Sequence, residues 1–141
     1  MSSLAFAAIL QASIMATGAS DYAEARRETT ETGRPMVILV GADWCPACVT
    51  MKNEVVPRVE KRGLLKKVVY TIVNLDHQRE LGKQLVENGP IPQMIMYRKT
   101  SDGWLRRKLV GQQSVETIEA FINEGVAMNK QPGADQGAQS Q

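Results

Sequence analysis

At 141 residues, 43% hydrophobic and 23% charged, the chain has the length and composition of one globular domain, which excludes global disorder and a coiled coil. Its 17 basic and 15 acidic residues leave a formal net charge of +2, too near balance to point to nucleic acid or an anionic membrane as the main partner. Two cysteines, Cys45 and Cys48, and one histidine, His77, are too few for a disulfide framework or for a closed zinc site.

Residues 1–20 differ from the rest. An apolar run from Leu4 to Ala16, interrupted by Gln11 and Ser13, is followed by Thr17, Gly18 and Ala19, and the first charge is Asp21. The pattern resembles the apolar region and cleavage site of a secretory signal, although a basic n-region is missing. The alternative is an apolar N-terminal helix packed on the domain. A membrane span needs about 20 apolar residues, so the membrane is expected as a partner only through an uncleaved N-terminus.

A helix is expected over residues 21–32, with Asp21 and Glu24 forming a capping box and Gly33 and Pro35 punctuating its end. Residues 36–41, MVILVG, form a continuous apolar run of strand length, as in a strand buried on both faces. A second helix should begin at about Cys45, because Pro46 suits the first helical position, where its missing N–H costs nothing. Cys48, Met51 and Val55 then share one face, and Pro57 should end or kink the helix near Val56. Residues 68–75, VVYTIVNL, are rich in β-branched side chains and form the second strand. Asp76 is expected to cap a helix over residues 78–88, stopped by Gly89. A rigid Gly89-Pro90-Ile91-Pro92 loop leads into a third strand over 93–99, a turn, and a fourth strand over 104–110. Ser114 caps the last helix, whose inner face is Val115, Ile118, Phe121, Ile122 and Val126. From Asn129 the tail to residue 141 is polar and expected to be disordered. One α/β domain over residues 21–128 follows, with a central mixed four-stranded sheet flanked by helices.

The chemistry centres on the Cys-x-x-Cys pair at the turn from a buried strand into a helix. The nucleophile of disulfide exchange is a thiolate. At a helix N-terminus the dipole and the free backbone N–H groups stabilise that anion. A spacing of three on one turn lets the second sulfur reach the first. Cys45 would attack a substrate disulfide, and Cys48 would displace the product from the mixed disulfide. Pro46 has no N–H, which leaves those of Ala47 and Cys48 as donors to the Cys45 thiolate; fewer donors favour a reducing couple, a neighbouring field can reverse this, and the sequence leaves the direction of electron flow open.

These residues resemble the thioredoxin family. The matching pieces are Trp44-Cys45-x-x-Cys48, the Ile91-Pro92 pair ahead of the third strand, and Gly111 after the hairpin. The resemblance covers about residues 21–128, although the family's first strand has no clear counterpart before Asp21. It is nearest to exported, membrane-associated or periplasmic members, which implies the periplasm or cell envelope of a bacterium, with the cytoplasm as alternative. It further implies that Pro92 is cis and faces the cysteines, and that its neighbour Ile91 pairs backbone-to-backbone with bound polypeptide. Trp44 would face substrate, with Asp43 and Pro46 supporting the site. No metal or cofactor is implied beyond the redox-active Cys45–Cys48 disulfide. The implied partners are proteins with disulfides and a thiol electron donor or acceptor, acting on a monomer. One departure matters. Many members carry a buried acid six residues before the first cysteine, paired with a lysine on the next strand. The corresponding positions here are Leu39 and Ile72, so both charges are absent together, and proton removal from Cys48 would fall to Asp43, Glu54 or water.

Plainer readings compete. Trp44 could be a partly buried aromatic that closes the core. His77 suits a solvated surface, and Met94 and Met96 suit core filling. Arg106, Arg107 and Lys108 suit a charged sheet edge that resists aggregation. Against a protein-disulfide reductase stand a peptide-binding module that uses the groove around Pro92, and a Cu(I) carrier that uses both thiolates.

Overall fold

The computed structural model describes residues 21–130, with side chains through Met128. The expectations for residues 1–20 and for 131–141 lie outside the described residues. Strands β1 (Met36–Gly41), β2 (Val69–Asn74), β3 (Gln93–Thr100) and β4 (Gly103–Val110) form one sheet in the order β2-β1-β3-β4. β1 runs parallel to β2 and antiparallel to β3, and β3 and β4 form an antiparallel hairpin. The mixed sheet expected from the element order is therefore present.

Every residue of β1 is buried, because its alternating side chains feed two cores. On one face Val37 and Leu39 join Met94 and Met96 of β3. They pack against Met51, Val55 and Val59 and against Ile118, Phe121 and Ile122 of α5 (Val115–Lys130). On the other face Ile38, Val40 and Ile95 pack against Ala25 of α1 (Tyr22–Thr32) and Leu85 of α4 (Arg79–Leu85). Burial of these apolar faces, at roughly 25 cal/mol per Å², is the main force holding the helices to the sheet.

Caps set the ends of α1 and the start of α5. Asp21 accepts the Glu24 N–H at 2.9 Å, and Gly33 closes α1 with φ 76°, a left-handed conformation that favours glycine. The Thr117 N–H donates to Ser114 Oγ at 3.1 Å. α5 continues to Lys130, so the first two residues assigned to the polar tail are helical.

Two local expectations are corrected, and at Pro57 one of the two expected outcomes, a helix end, is excluded. α2 (Pro46–Thr50) passes through a π-helical turn (Met51–Val55) into α3 (Val56–Lys61). The Val56 N–H bonds back to the Met51 carbonyl, and this wider turn places Pro57 in the first turn of α3, where a missing N–H is tolerated. Asp76 does not cap α4; no side chain does, and the Asp76 carboxylate is used elsewhere. Gly89 does not stop α4, which ends at Leu85 and turns through two left-handed residues, Glu87 at φ 54° and Asn88 at φ 56°.

β4 lies at the sheet edge, but its arginines do more than carry charge. Arg106 donates to the Leu85 carbonyl at 2.6 Å and to Tyr97 Oη at 3.2 Å, tying the end of α4 to the hairpin. On the opposite face Arg107 pairs with Glu124 at 2.7 Å and stands over the Phe121 ring at 5.3 Å. Lys108 is exposed, as are His77 and its helix-side neighbours, whereas Met94 and Met96 are core.

Candidate active site

The site forms where β1 gives way to α2. Cys45 is the N-cap of α2, in extended backbone, and its Sγ accepts the Cys48 N–H at 3.3 Å. Pro46 occupies the first turn without leaving an unused donor. The two cysteines are disulfide-bonded, with Cα atoms 5.2 Å apart. Cys48 sits one turn inside and presses on β1: a Cβ on Gly41 would lie 2.9 Å from its Cβ and 3.0 Å from its Sγ. Gly41 is thus a site residue that sequence reasoning missed. Its signal was an isolated glycine ending a buried strand, a mark of close approach.

Cys45 is 7% exposed and Cys48 5%, so burial does not distinguish them in the disulfide state. Trp44 is 71% exposed, which overturns the reading of a core-closing aromatic. The turn that carries Trp44 is anchored from below. The Asp43 N–H donates to Asp76 Oδ2 at 2.9 Å, and Asn74 Nδ2 donates to Asp43 Oδ1 at 2.9 Å. The Asp76 N–H in turn donates to Asn74 Oδ1 at 2.8 Å. Asp43 is therefore exposed but engaged, while Asn74 and Asp76 are supporting residues that the sequence did not reveal. Glu54 is exposed, off the buried row of Cys48, Met51 and Val55, and does not stand at the resolving thiol.

The loop before β3 closes the other side. Ile91 packs against the cluster of Ala42, Cys45 and Cys48. The Ile91–Pro92 peptide bond is cis, and Pro92 is buried. The Gly111 N–H donates to the Pro92 carbonyl at 2.8 Å, with Gly111 at φ 86°, so the end of the hairpin holds the proline from behind. Among the described residues, no three His, Cys, Asp or Glu side chains are grouped to hold a metal ion.

A family sequence model described as thioredoxin-like matches residues 16–99, more than half of the chain. The chain belongs to the thioredoxin-like family. Solved structures agree on the fold of this thioredoxin-like protein. A thioredoxin from Thermus thermophilus aligns with a TM-score of 0.65 at 19% identity, covering 77% of this chain and 85% of that one. The C-terminal domain of Neisseria meningitidis DsbD in its oxidised form aligns with a TM-score of 0.56 at 21% identity, covering 73% and 90%. Trxlp from Edwardsiella tarda aligns with a TM-score of 0.57 at 24% identity, covering 74% and 95%. No curated protein sequence matches significantly.

A thioredoxin-like fold with a Cys-Pro-Ala-Cys disulfide at a helix start makes the protein a thiol–disulfide oxidoreductase. Leu39 and Ile72 of this thioredoxin-like protein are direct cross-strand partners, both packed in the core cluster beneath α2–α3. Leu39 lies two residues before Gly41 and so on the same face of β1, one side-chain position away from Cys48. The contact at Gly41 gives a prediction. Gly41→Ala should destabilise the disulfide form by about 1–3 kcal/mol, because the bonded Cys48 cannot swing aside as the end of a free side chain would. Urea unfolding of oxidised wild type and variant measures it; equal midpoints would show that the turn has slack.

Proposed function

We propose that this thioredoxin-like protein reduces protein disulfides, with Cys45 as the attacking nucleophile and Cys48 as the resolving thiol. The observation that carries the assignment is the position of Cys45 Sγ as helix cap, accepting the Cys48 N–H. An anion at that atom gains from the free N–H groups and from the positive end of the helix dipole. The Cys45 thiolate attacks one sulfur of the substrate disulfide. The substrate S–S bond breaks, and its leaving thiolate takes up a proton. Cys48, as thiolate, then attacks Cys45 Sγ and expels the second substrate thiol. Two electrons pass from the dithiol to the substrate, and a thiol donor from another protein returns the pair to its reduced form.

The direction rests on Pro46. Oxidants of this kind are strong because their reduced form is stabilised. Without an N–H at position 46, the Cys45 thiolate has fewer backbone donors, which weakens the reduced form and makes the couple more reducing. Ile91, against the cysteines, and Trp44, exposed beside them, support an extended polypeptide bound along the start of β3. The apolar run of residues 4–16 supports work outside the cytoplasm, in a cell envelope.

Insulin reduction with dithiothreitol as donor tests the reading, together with the potential of the pair in glutathione buffers. The expected result is turnover well above the dithiothreitol background and a potential nearer the about −270 mV of a thioredoxin than the about −120 mV of a strong oxidant. A potential at the oxidising end, with catalysis only of disulfide formation, would reverse the assigned direction.

A further inference from the structure

The loop between α4 and Pro92 is held by a side chain that the mechanism above does not use. Gln93 opens β3 between Val40 of β1 and Val110 of β4 and is 1% exposed. Its Nε2 donates to the Pro90 carbonyl at 2.9 Å and reaches the Val86 carbonyl at 3.5 Å. Its Oε1 has no hydrogen-bond partner among the described residues. The loop is wrapped closely around this amide: a Cβ on Gly89 would lie 2.9 Å from Gln93 Nε2 and 2.9 Å from the Val86 carbonyl oxygen.

Stability alone does not explain this residue. A buried amide oxygen without a partner carries a desolvation penalty, and an apolar side chain of the same length would fill the volume without it. What the amide supplies is direction. It fixes the Pro90 carbonyl, one residue before Ile91, in a loop whose earlier part depends on two left-handed residues, Glu87 and Asn88. The other end of the same loop is fixed by Arg106 on the Leu85 carbonyl. Between these two anchors the loop delivers Ile91 to the cluster of Cys45 and Cys48.

We infer that Gln93 is a positioning residue for polypeptide substrates. Through Pro90 it sets the backbone of Ile91 at the height where an extended chain beside the disulfide meets it. The inference rests on the proposed reading of Ile91 as substrate-contacting. A substrate too small to run along the loop should not sense Gln93, because its reaction needs only the cysteines.

The test compares wild type, Gln93→Met and Gly89→Ala. Gln93→Met keeps the volume and removes both the donor and the unpartnered oxygen. Gly89→Ala leaves Gln93 in place and crowds both its amide and the Val86 carbonyl from outside. Each is assayed with insulin and with 5,5′-dithiobis(2-nitrobenzoate), and amide hydrogen exchange is followed at position 89. The expected result is a KM for insulin raised about fivefold in both variants, with kcat and the aryl-disulfide rate within about twofold of wild type. Exchange at position 89, whose N–H is bonded to the Val86 carbonyl, should accelerate while β3 stays protected. An unchanged KM in both folded variants, or equal losses on both substrates, would overturn the inference. If Gln93→Met does not fold, Gly89→Ala decides. A wild type that leaves insulin intact removes the reductase reading instead, and wild-type exchange rates in a folded variant then remove Gln93's hold on the loop independently.

Discussion

Cys45→Ser should lower protein-disulfide reduction at least about a thousandfold, whereas Cys48→Ser should complete the first half of the reaction and hold the substrate as a mixed disulfide. The contrast follows from position. Cys45 caps α2 and receives the Cys48 N–H, while Cys48 lies one turn inside against Gly41. Their exposures of 7% and 5% are too close to make access the reason. The difference in reactivity comes from the helix end, which stabilises a thiolate at the cap and loses its effect within a turn. Serine is itself a favoured N-cap residue, so Cys45→Ser removes the nucleophile while keeping the cap, and loss of activity is not loss of fold. Mass spectrometry of each variant after mixing with reducible peptide reads the outcome. Iodoacetamide labelling of the reduced wild type at neutral pH should modify Cys45 first. A stable mixed disulfide on Cys48 in the Cys45→Ser variant, with none in the other, would exchange the two roles.

What the sequence made legible was local. The apolar run of β1, the Pro46 helix start, the Ser114 cap and the hairpin are each carried by a few neighbouring residues whose preferences agree. Together with the right-handed crossovers that such an order demands, they bring the cysteines to the end of a buried strand. What stayed hidden depends on distant partners. Asp76 looks like a helix cap in its own segment, but parallel pairing of β2 with β1 brings it 33 residues back to the Asp43 N–H, which takes its carboxylate. Pro57 looks like a helix end, but the core face of Met51, Val55, Val56 and Val59 keeps the chain helical, and the π-helical turn absorbs the missing donor. Gln93 begins an apolar strand, and only the folded loop from Val86 to Pro90 gives its amide a task.

Leu39→Asp should destabilise the fold by about 3–5 kcal/mol and speed the resolving step at the same time. Leu39 is 2% exposed, between Ile72 on β2 and Met94 on β3. A carboxylate there loses its hydration and finds no charge partner, so burial would push its pKa above the usual carboxylate range. The sign follows from linkage. A folded-state pKa raised above the unfolded one gives stability that is full below the unfolded value and lost as pH rises through the folded value. The variant should therefore unfold at lower urea at pH 8 than at pH 5, a difference that wild type should not share. Ile72→Lys, added opposite in register, should recover part of the loss, because the pair would neutralise within the cluster. The gain in chemistry comes from the same face of β1. Two residues from Gly41, the new carboxylate would lie near enough to Cys48 to draw off its proton, and only the thiolate of Cys48 displaces product. Without that acid the wild-type mixed disulfide should be long-lived and should resolve faster as pH rises toward the thiol's ordinary pKa of about 8.5. Rapid-quench trapping of the mixed disulfide between about pH 6 and 9 compares the two proteins across that titration. Equal, pH-independent resolution in both would mean that another base already serves Cys48. Asp43, whose carboxylate is held by Asn74 at the mouth of the site, would be the residue to replace next.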